Sequence, residues 1–315
     1  MKARAGFFAL AVVVLAASAF PRARSERRKF FPQLRPGQTL DYLVSFQSRR
    51  DINTQSNVIV PNLPGAGSVT VLATLRVEVL PSQHGLVRLR TFLKPLSLAP
   101  GKPSAQAPAP SDISAVEFSL DGGGSVSQIA GLDSLPVDQQ AAWREWVARF
   151  AASLTFPKNG VKAGDTWESE EPETAPSPIA GLVWRKKSQY VRDEPCPEAH
   201  RAAQDDFTEA VSATQTCAVI LTTAVLQQKS SAKDATPEDY KLNRLRTSGT
   251  AAGKNQSILY ISRATGMLMR SSETAAQSMS VTISLSSGGN QVHYDVSAQS
   301  NARVLFIQQA PASRH

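Results

Sequence analysis

Apolar and polar residues alternate along much of this chain, and the repeat is two. Val69, Val71, Ala73, Leu75, Val77 and Val79 point one way, while Thr70, Thr74, Arg76 and Glu78 point the other. This is the signature of a half-buried strand. Pro81 to Gly85 supplies a turn, and Val87, Leu89, Thr91 and Leu93 return. The same alternation predicts strands at Leu40 to Phe46, Ile113 to Leu120, Val126 to Ile129 and Leu182 to Arg192. It continues at Phe207 to Ala213, Cys217 to Leu226, Ser257 to Ile261 and Met267 to Ser271. Val281 to Leu285, Val292 to Val296 and a short strand at Val304 to Gln308 complete the set. Gly-rich and Ser-rich turns between these runs make them hairpins.

One stretch changes period. Trp143, Val147, Phe150 and Leu154 recur at spacings of four, three and four, and Trp146 widens the stripe. That repeat predicts an amphipathic helix, which Pro157 stops. One helix among so many strands argues against a parallel sheet, which needs a crossover between most strands. The expected fold is mainly β: large curved antiparallel sheets or an open barrel.

Two stretches echo each other. Pro36-Gly37-Gln38-Thr39-Leu40 resembles Ala163-Gly164-Asp165-Thr166-Trp167, and each precedes a run of strands. The expected organisation is therefore two similar β-rich halves, 35–135 and 157–309, joined by a linking helix at 136–156, with a tail at 310–315.

Composition fits a globular chain, 42% hydrophobic and 19% charged. Lys2 and Arg4, the apolar run Gly6 to Ala16, and Ala17-Ser18-Ala19 read as an export signal over 1–19. The apolar run is short for a membrane span, so no integral membrane segment is expected after cleavage. Positive charge directly after it, at Arg22, Arg24, Arg27, Arg28 and Lys29, favours the competing reading of an uncleaved anchor. Residues 20–34 read as a basic disordered arm. Of the formal net charge of +8, Lys2 and Arg4 supply two and the arm four, leaving about +2 for the rest. No aromatic residues alternate with basic ones, so no nucleic-acid partner is expected.

Cys196 and Cys217 are the only cysteines. In an exported chain they read as a disulfide, stapling the strand at Leu182 to the one that begins at Cys217. Free thiols are the competing reading. A metal would need further ligands, and only His200 is near in sequence. No metal and no cofactor are expected. His84, His200, His293 and His315 show no ligand spacing, and no G-x-S-x-G elbow, P-loop or dinucleotide fingerprint is present. Asp133, Asp165, Glu168, Glu170 and Glu171 are the nearest thing to a carboxylate cluster, and they read as turn and loop residues. No catalytic residue is assigned.

The runs FSLDGGGSVSQIAGLDSLP (118–136), FPKNGVKAGDTW (156–167) and LYISRATGMLMRSSE (259–273) resemble a broad family of exported bacterial β-rich proteins of unknown function. These members carry a V-x-x-G-D-x-W block. The resemblance implies a β-rich periplasmic or surface fold and names no site residues. A looser similarity of architecture is to lipoprotein-carrier-like half-barrels with a helix across the mouth. The expected function is an exported, non-enzymatic protein that binds an envelope component or partner, in the periplasm or outside the cell. One alternative is a carrier of a hydrophobic ligand such as lipid, with Trp143, Trp146, Val147, Phe150 and Leu154 as the lid face. Another is a hydrolase whose site the sequence does not reveal.

Overall fold

The computed structural model describes residues 27–30, 32–56, 67–96, 115–121, 126–133, 140, 147, 156–173, 177–203 and 206–308. The first wing of strands is β1 (Thr39–Ser56), β2 (Gly67–Gln83), β3 (Leu86–Pro95), β4 (Val116–Leu120) and β5 (Val126–Ala130). The second is β6 (Thr166–Pro172), β7 (Leu182–Ala203), β8 (Asp206–Gln228), β9 (Leu245–Ser262), β10 (Leu268–Leu285) and β11 (Gln291–Gln308). A short helix, α1 (Glu238–Leu242), precedes β9.

All eleven strands form one sheet, in the order β5-β4-β3-β2-β1-β11-β10-β9-β8-β7-β6. Neighbours are antiparallel throughout that order. One further pairing, β11 with β7, is parallel: Ile307 lies opposite Ala199. The sheet therefore curls back on itself at one end, as the expectation of curved sheets or an open barrel requires. Each wing follows chain order, and the two meet where β1 pairs with β11.

The strands are far longer than the alternation indicates. β9, β10 and β11 each run 18 residues, and β8 runs 23. Most strands in globular proteins have 3–10 residues. Met267 to Ser271 and Val281 to Leu285 were expected as two strands, and β10 contains nearly all of both. β11 likewise contains the stretches at Val292 and Val304. The run from Asp193 to Ala203, polar and carrying two prolines, is the second half of β7 rather than a loop.

Alternate residues define an inner face. Along β9, Ala251, Asn255 and Ser257 are half-buried, while Lys254, Gln256 and Ile258 are exposed. Three apolar clusters sit on the inner face. In the first, Leu40, Tyr42, Leu75, Val77, Leu89 and Phe118 pack together, with Val147 buried against them. The second holds Tyr190, Ile220, Leu259 and Ile261, covered by Phe30 and Val161. The third, at the far end of the strands, gathers Leu182, Leu226, Val281 and Tyr294 under Ile179 and Ala235.

Two covering segments explain the second cluster. Arg28 and Val161 exchange both backbone hydrogen bonds at 2.8 Å. Phe30, 4% exposed, places its ring 5.3 Å from that of Phe156 and 5.7 Å from that of Tyr190. Residues 27–34 were expected in the disordered arm. Apart from residue 31, which is not described, they are docked on the sheet, because Phe30 finds an aromatic pocket that no local sequence pattern announces.

The β7–β8 hairpin tip folds over the opposite face of the same end. Ala199 packs there with Leu305 and Ile307. Glu209 on β8 takes ion pairs from Arg270 and Arg303. Cys196 and Cys217 form a disulfide at the bend, both fully buried beside Met269. The bridge joins neighbouring strands, β7 and β8, where Glu194 lies opposite Cys217. It staples the strand that begins at Leu182 to the one that holds Cys217, as expected, at the corner of one hairpin.

Candidate binding trough

Between the apolar ends, the inner face changes character. The register places Ser48, Ser300, Ala275, Asn255, Ala224 and Lys186 side by side across six strands. The neighbouring row, toward the Phe30 end, reads Phe46, Ala302, Glu273, Ser257, Thr222 and Ser188. The row on the other side reads Arg50, Ala298, Gln277, Gly253, Leu226 and Trp184. Apart from Phe46, Trp184 and Leu226, these side chains are small or polar. From Leu259 to Ala251 the gap between the flanking apolar rows is eight residues, about 27 Å along the strand. The result is a trough crossing the strands, floored by small residues and walled by two apolar clusters.

Its polar groups are already engaged with one another. Asn255 donates to Glu273 Oε1 at 2.5 Å. Ser188 and Thr222 hydroxyls meet at 2.8 Å. Lys186 pairs with Glu171 of β6 at the edge of the sheet. Trp184 donates its indole N–H to Glu173 at 2.8 Å. That ring then lies over Gly253, where an added Cβ would stand 3.0 Å from the Trp184 ring and 3.2 Å from Leu226 Cβ. The approach is close, and a side chain at 253 would have to push these neighbours aside by a few tenths of an ångström. At the Phe30 end, burial raises the Tyr190 phenol well above its ordinary value, and a hydrogen bond to Asp193 raises it further. Such a trough offers hydrogen bonds and two signs of charge to an extended ligand.

The described histidines stand apart. His84 occupies a turn, with φ +51°. His200, on the β7–β8 tip, lies 3.2 Å from Glu198. His293 accepts or donates to the Thr282 hydroxyl at 3.0 Å and lies 3.6 Å from Asp295. Thr282 and His293 are cross-strand neighbours, so this contact follows from the ladder. Among the described residues, no three of His, Cys, Asp and Glu gather where they could hold a metal ion. A shallow depression of about 440 Å³ lies across β1, β11, β10 and β9, rimmed by Asp51, Asn53, Asp295, Ser278, Ser280 and Thr250. By strand alternation these side chains belong to the opposite face. Ile52, Met279 and Val296 line it as well, and it is shallow and open rather than the deep cavity that a lipid carrier would need.

Of the expected lid residues, Val147 is helical and fully buried in the first apolar cluster. Trp143, Trp146, Phe150 and Leu154 lie outside the described residues. So does the rest of the expected linking helix, except Gln140, which is helical, and Phe156, which is not. The chain between β5 and β6 joins opposite edges of the sheet, since those two strands end the order. The acids singled out in the sequence do not converge on one site. Glu168 and Glu170 point outward to Arg185 and Lys229, while Asp165 pairs with Arg27. The trough residues escaped the sequence reading. The available signal was the polar gap between each pair of short expected strands.

The fold and trough define a single-sheet, mainly β protein whose inner face is polar in its middle and apolar at its ends. No protein family matches the chain, and no curated protein matches it. Similar solved structures include the outer membrane protein OprG from Pseudomonas aeruginosa, at 7% identity over 87% of this chain and 97% of that one, with a TM-score of 0.18. The CymD monoaromatic hydrocarbon channel is 10% identical over 88% of this chain and 90% of its own, with a TM-score of 0.15. A loop-deletion mutant of OmpT, an outer membrane protein of Vibrio cholerae, is 7% identical over 86% and 100%, also at 0.15. At these TM-scores the overlays are too poor for any conclusion about this chain to rest on them.

Proposed function

We propose that this chain is an exported, non-enzymatic binding protein whose trough holds an extended polar or amphipathic component of the cell envelope. The observation that carries the reading is the polar, small-residue middle of the inner face, half-buried between two filled apolar ends. The export signal at 1–19 and the buried disulfide support a location outside the cytoplasm. The lipid-carrier alternative draws less support. Phe30, Val161, Ile179 and Ala235 fill the apolar ends with the protein's own side chains. An acyl chain in the middle would bury the Asn255–Glu273 and Lys186–Glu171 pairs away from water and offer them no further polar contact. The hydrolase alternative draws none from the separated histidines.

Native mass spectrometry of the exported protein tests the reading. The expected result is a retained polar or amphipathic mass that is lost when the trough floor is filled by Ala275→Trp or Ala298→Trp. Retention by both variants, with an unchanged fold, refutes a ligand in the trough. A purely hydrophobic retained lipid would favour the carrier instead.

A further inference from the structure

The ribbon that covers the Phe30 end has a charged outer side. Arg28 lies opposite Val161, so antiparallel register sets Arg27 opposite Lys162 and Lys29 opposite Gly160. Val161 and Phe30 are buried, which fixes the inward side. Arg27, Lys29 and Lys162 therefore share the outward side, and Lys158 follows in the adjoining turn. All four are exposed. The backbone beneath them is fixed closely. Gly160, at φ +71°, lies so near the strap that an added Cβ would stand 2.7 Å from the Arg28 carbonyl oxygen.

Of this side, the neighbouring carboxylates neutralise only Arg27. Asp165 pairs with Arg27 at 3.6 Å. Asp193 takes Arg263 at 2.5 Å and the Tyr190 hydroxyl. Glu194 takes Arg192. Among the described residues Lys29, Lys158 and Lys162 form no ion pair. Upstream in the sequence stand Arg24, Arg22 and then the apolar run Gly6 to Ala16, which reads as an export signal.

From this charge, and from its place just downstream of that segment, we infer that the ribbon of residues 27–29 and 158–162 docks the folded domain on an anionic lipid surface. Lysines over acidic headgroups each strengthen such adsorption about fivefold, and salt weakens it. This surface is separate from the trough, so either reading can fail while the other stands.

The exported protein should co-sediment with vesicles of phosphatidylcholine mixed with phosphatidylglycerol, and not with phosphatidylcholine alone. Rising salt should release it. The triple variant Lys29→Ser, Lys158→Ser, Lys162→Ser should bind about a hundredfold more weakly at an unchanged thermal midpoint. Arginine at the same three positions should bind as the parent does. Equal binding to both vesicles, or full binding by the serine variant, overturns the inference. So does loss of binding on Arg22→Ser with Arg24→Ser alone, which would move the contact to the upstream residues. Tight binding of soluble glycerophosphate without preference for vesicles would likewise replace a surface with a small-anion site.

Discussion

Phe30→Ala puts the docked N-terminal strap to the test. Phe30 keeps only 4% of its surface and touches the rings of Phe156 and Tyr190. Removing a buried phenylalanine costs about 3–5 kcal/mol in lost transfer energy and residual cavity. Two aromatic neighbours, in tilted and edge-on geometry, put this site in the upper part of that range. For a chain of this size the loss should lower the thermal midpoint by roughly 10 °C. Phe30→Leu, which keeps most of the volume, should cost under about 1.5 kcal/mol. Denaturant unfolding with both variants gives the difference. Hydrogen exchange gives the location: the amides of Arg28 and Val161, each bonded at 2.8 Å, should lose protection in the alanine variant first. If Phe30→Ala lies within about 1 kcal/mol of the parent and those amides exchange as before, the strap is not part of the fold. The ribbon that depends on it would then fall too.

Three further outcomes follow from the same structure. Cys196→Ser with Cys217→Ser opens a link of sequence separation 21 and should cost about 3 kcal/mol, read as a lower denaturation midpoint that reductant no longer shifts. Gly253→Ala meets Trp184, Gln277 and Leu226 at 3.0–3.2 Å and should destabilise by about 1–3 kcal/mol, whereas Ala252→Ser on the exposed side should be neutral. Burial raises the phenols of Tyr42, Tyr190 and Tyr294 above the ordinary value near 10, with a hydrogen bond to Asp193 adding to the effect at Tyr190. Their unfolded forms release protons first as pH rises, so stability is full below about pH 10 and falls above it. An ultraviolet titration should show these three ionising only with unfolding. Ionisation of all five tyrosines near 10 in the folded protein would contradict their burial.

The sequence disclosed strands wherever one face is core. Val77, Leu75 and Tyr42 alternate with charged or polar neighbours because the apolar clusters lie beneath them. In the middle of β10, Ser272 to Gln277 is polar or small on both faces, so alternation vanishes while the ladder continues without a break. The same holds for Ser297 to Asn301 on β11. Periodicity therefore divided single strands in two, and the trough occupies the divisions. The tip of β7 was hidden differently. Its prolines, Pro195 and Pro197, flank a ladder irregularity, beyond the end of β6, where one edge of the strand has no β6 partner. The two cysteines were legible as a pair, and so were the strands they join, because they are the only two in the sequence and flank one hairpin.

The seam between β1 and β11 sets the order in which the protein can assemble. The first strand and the last lie together in the middle of the sheet, with fifteen residue pairs in register from Tyr42–Phe306 to Ser56–Val292. A chain emerging N-terminus first can build the wing from β1 to β5 early, but one side of β1 stays an open ladder until residue 308 has appeared. Contacts of such sequence separation form slowly. A chain made from its N-terminus thus carries its own delay: its central join waits for β11 to arrive.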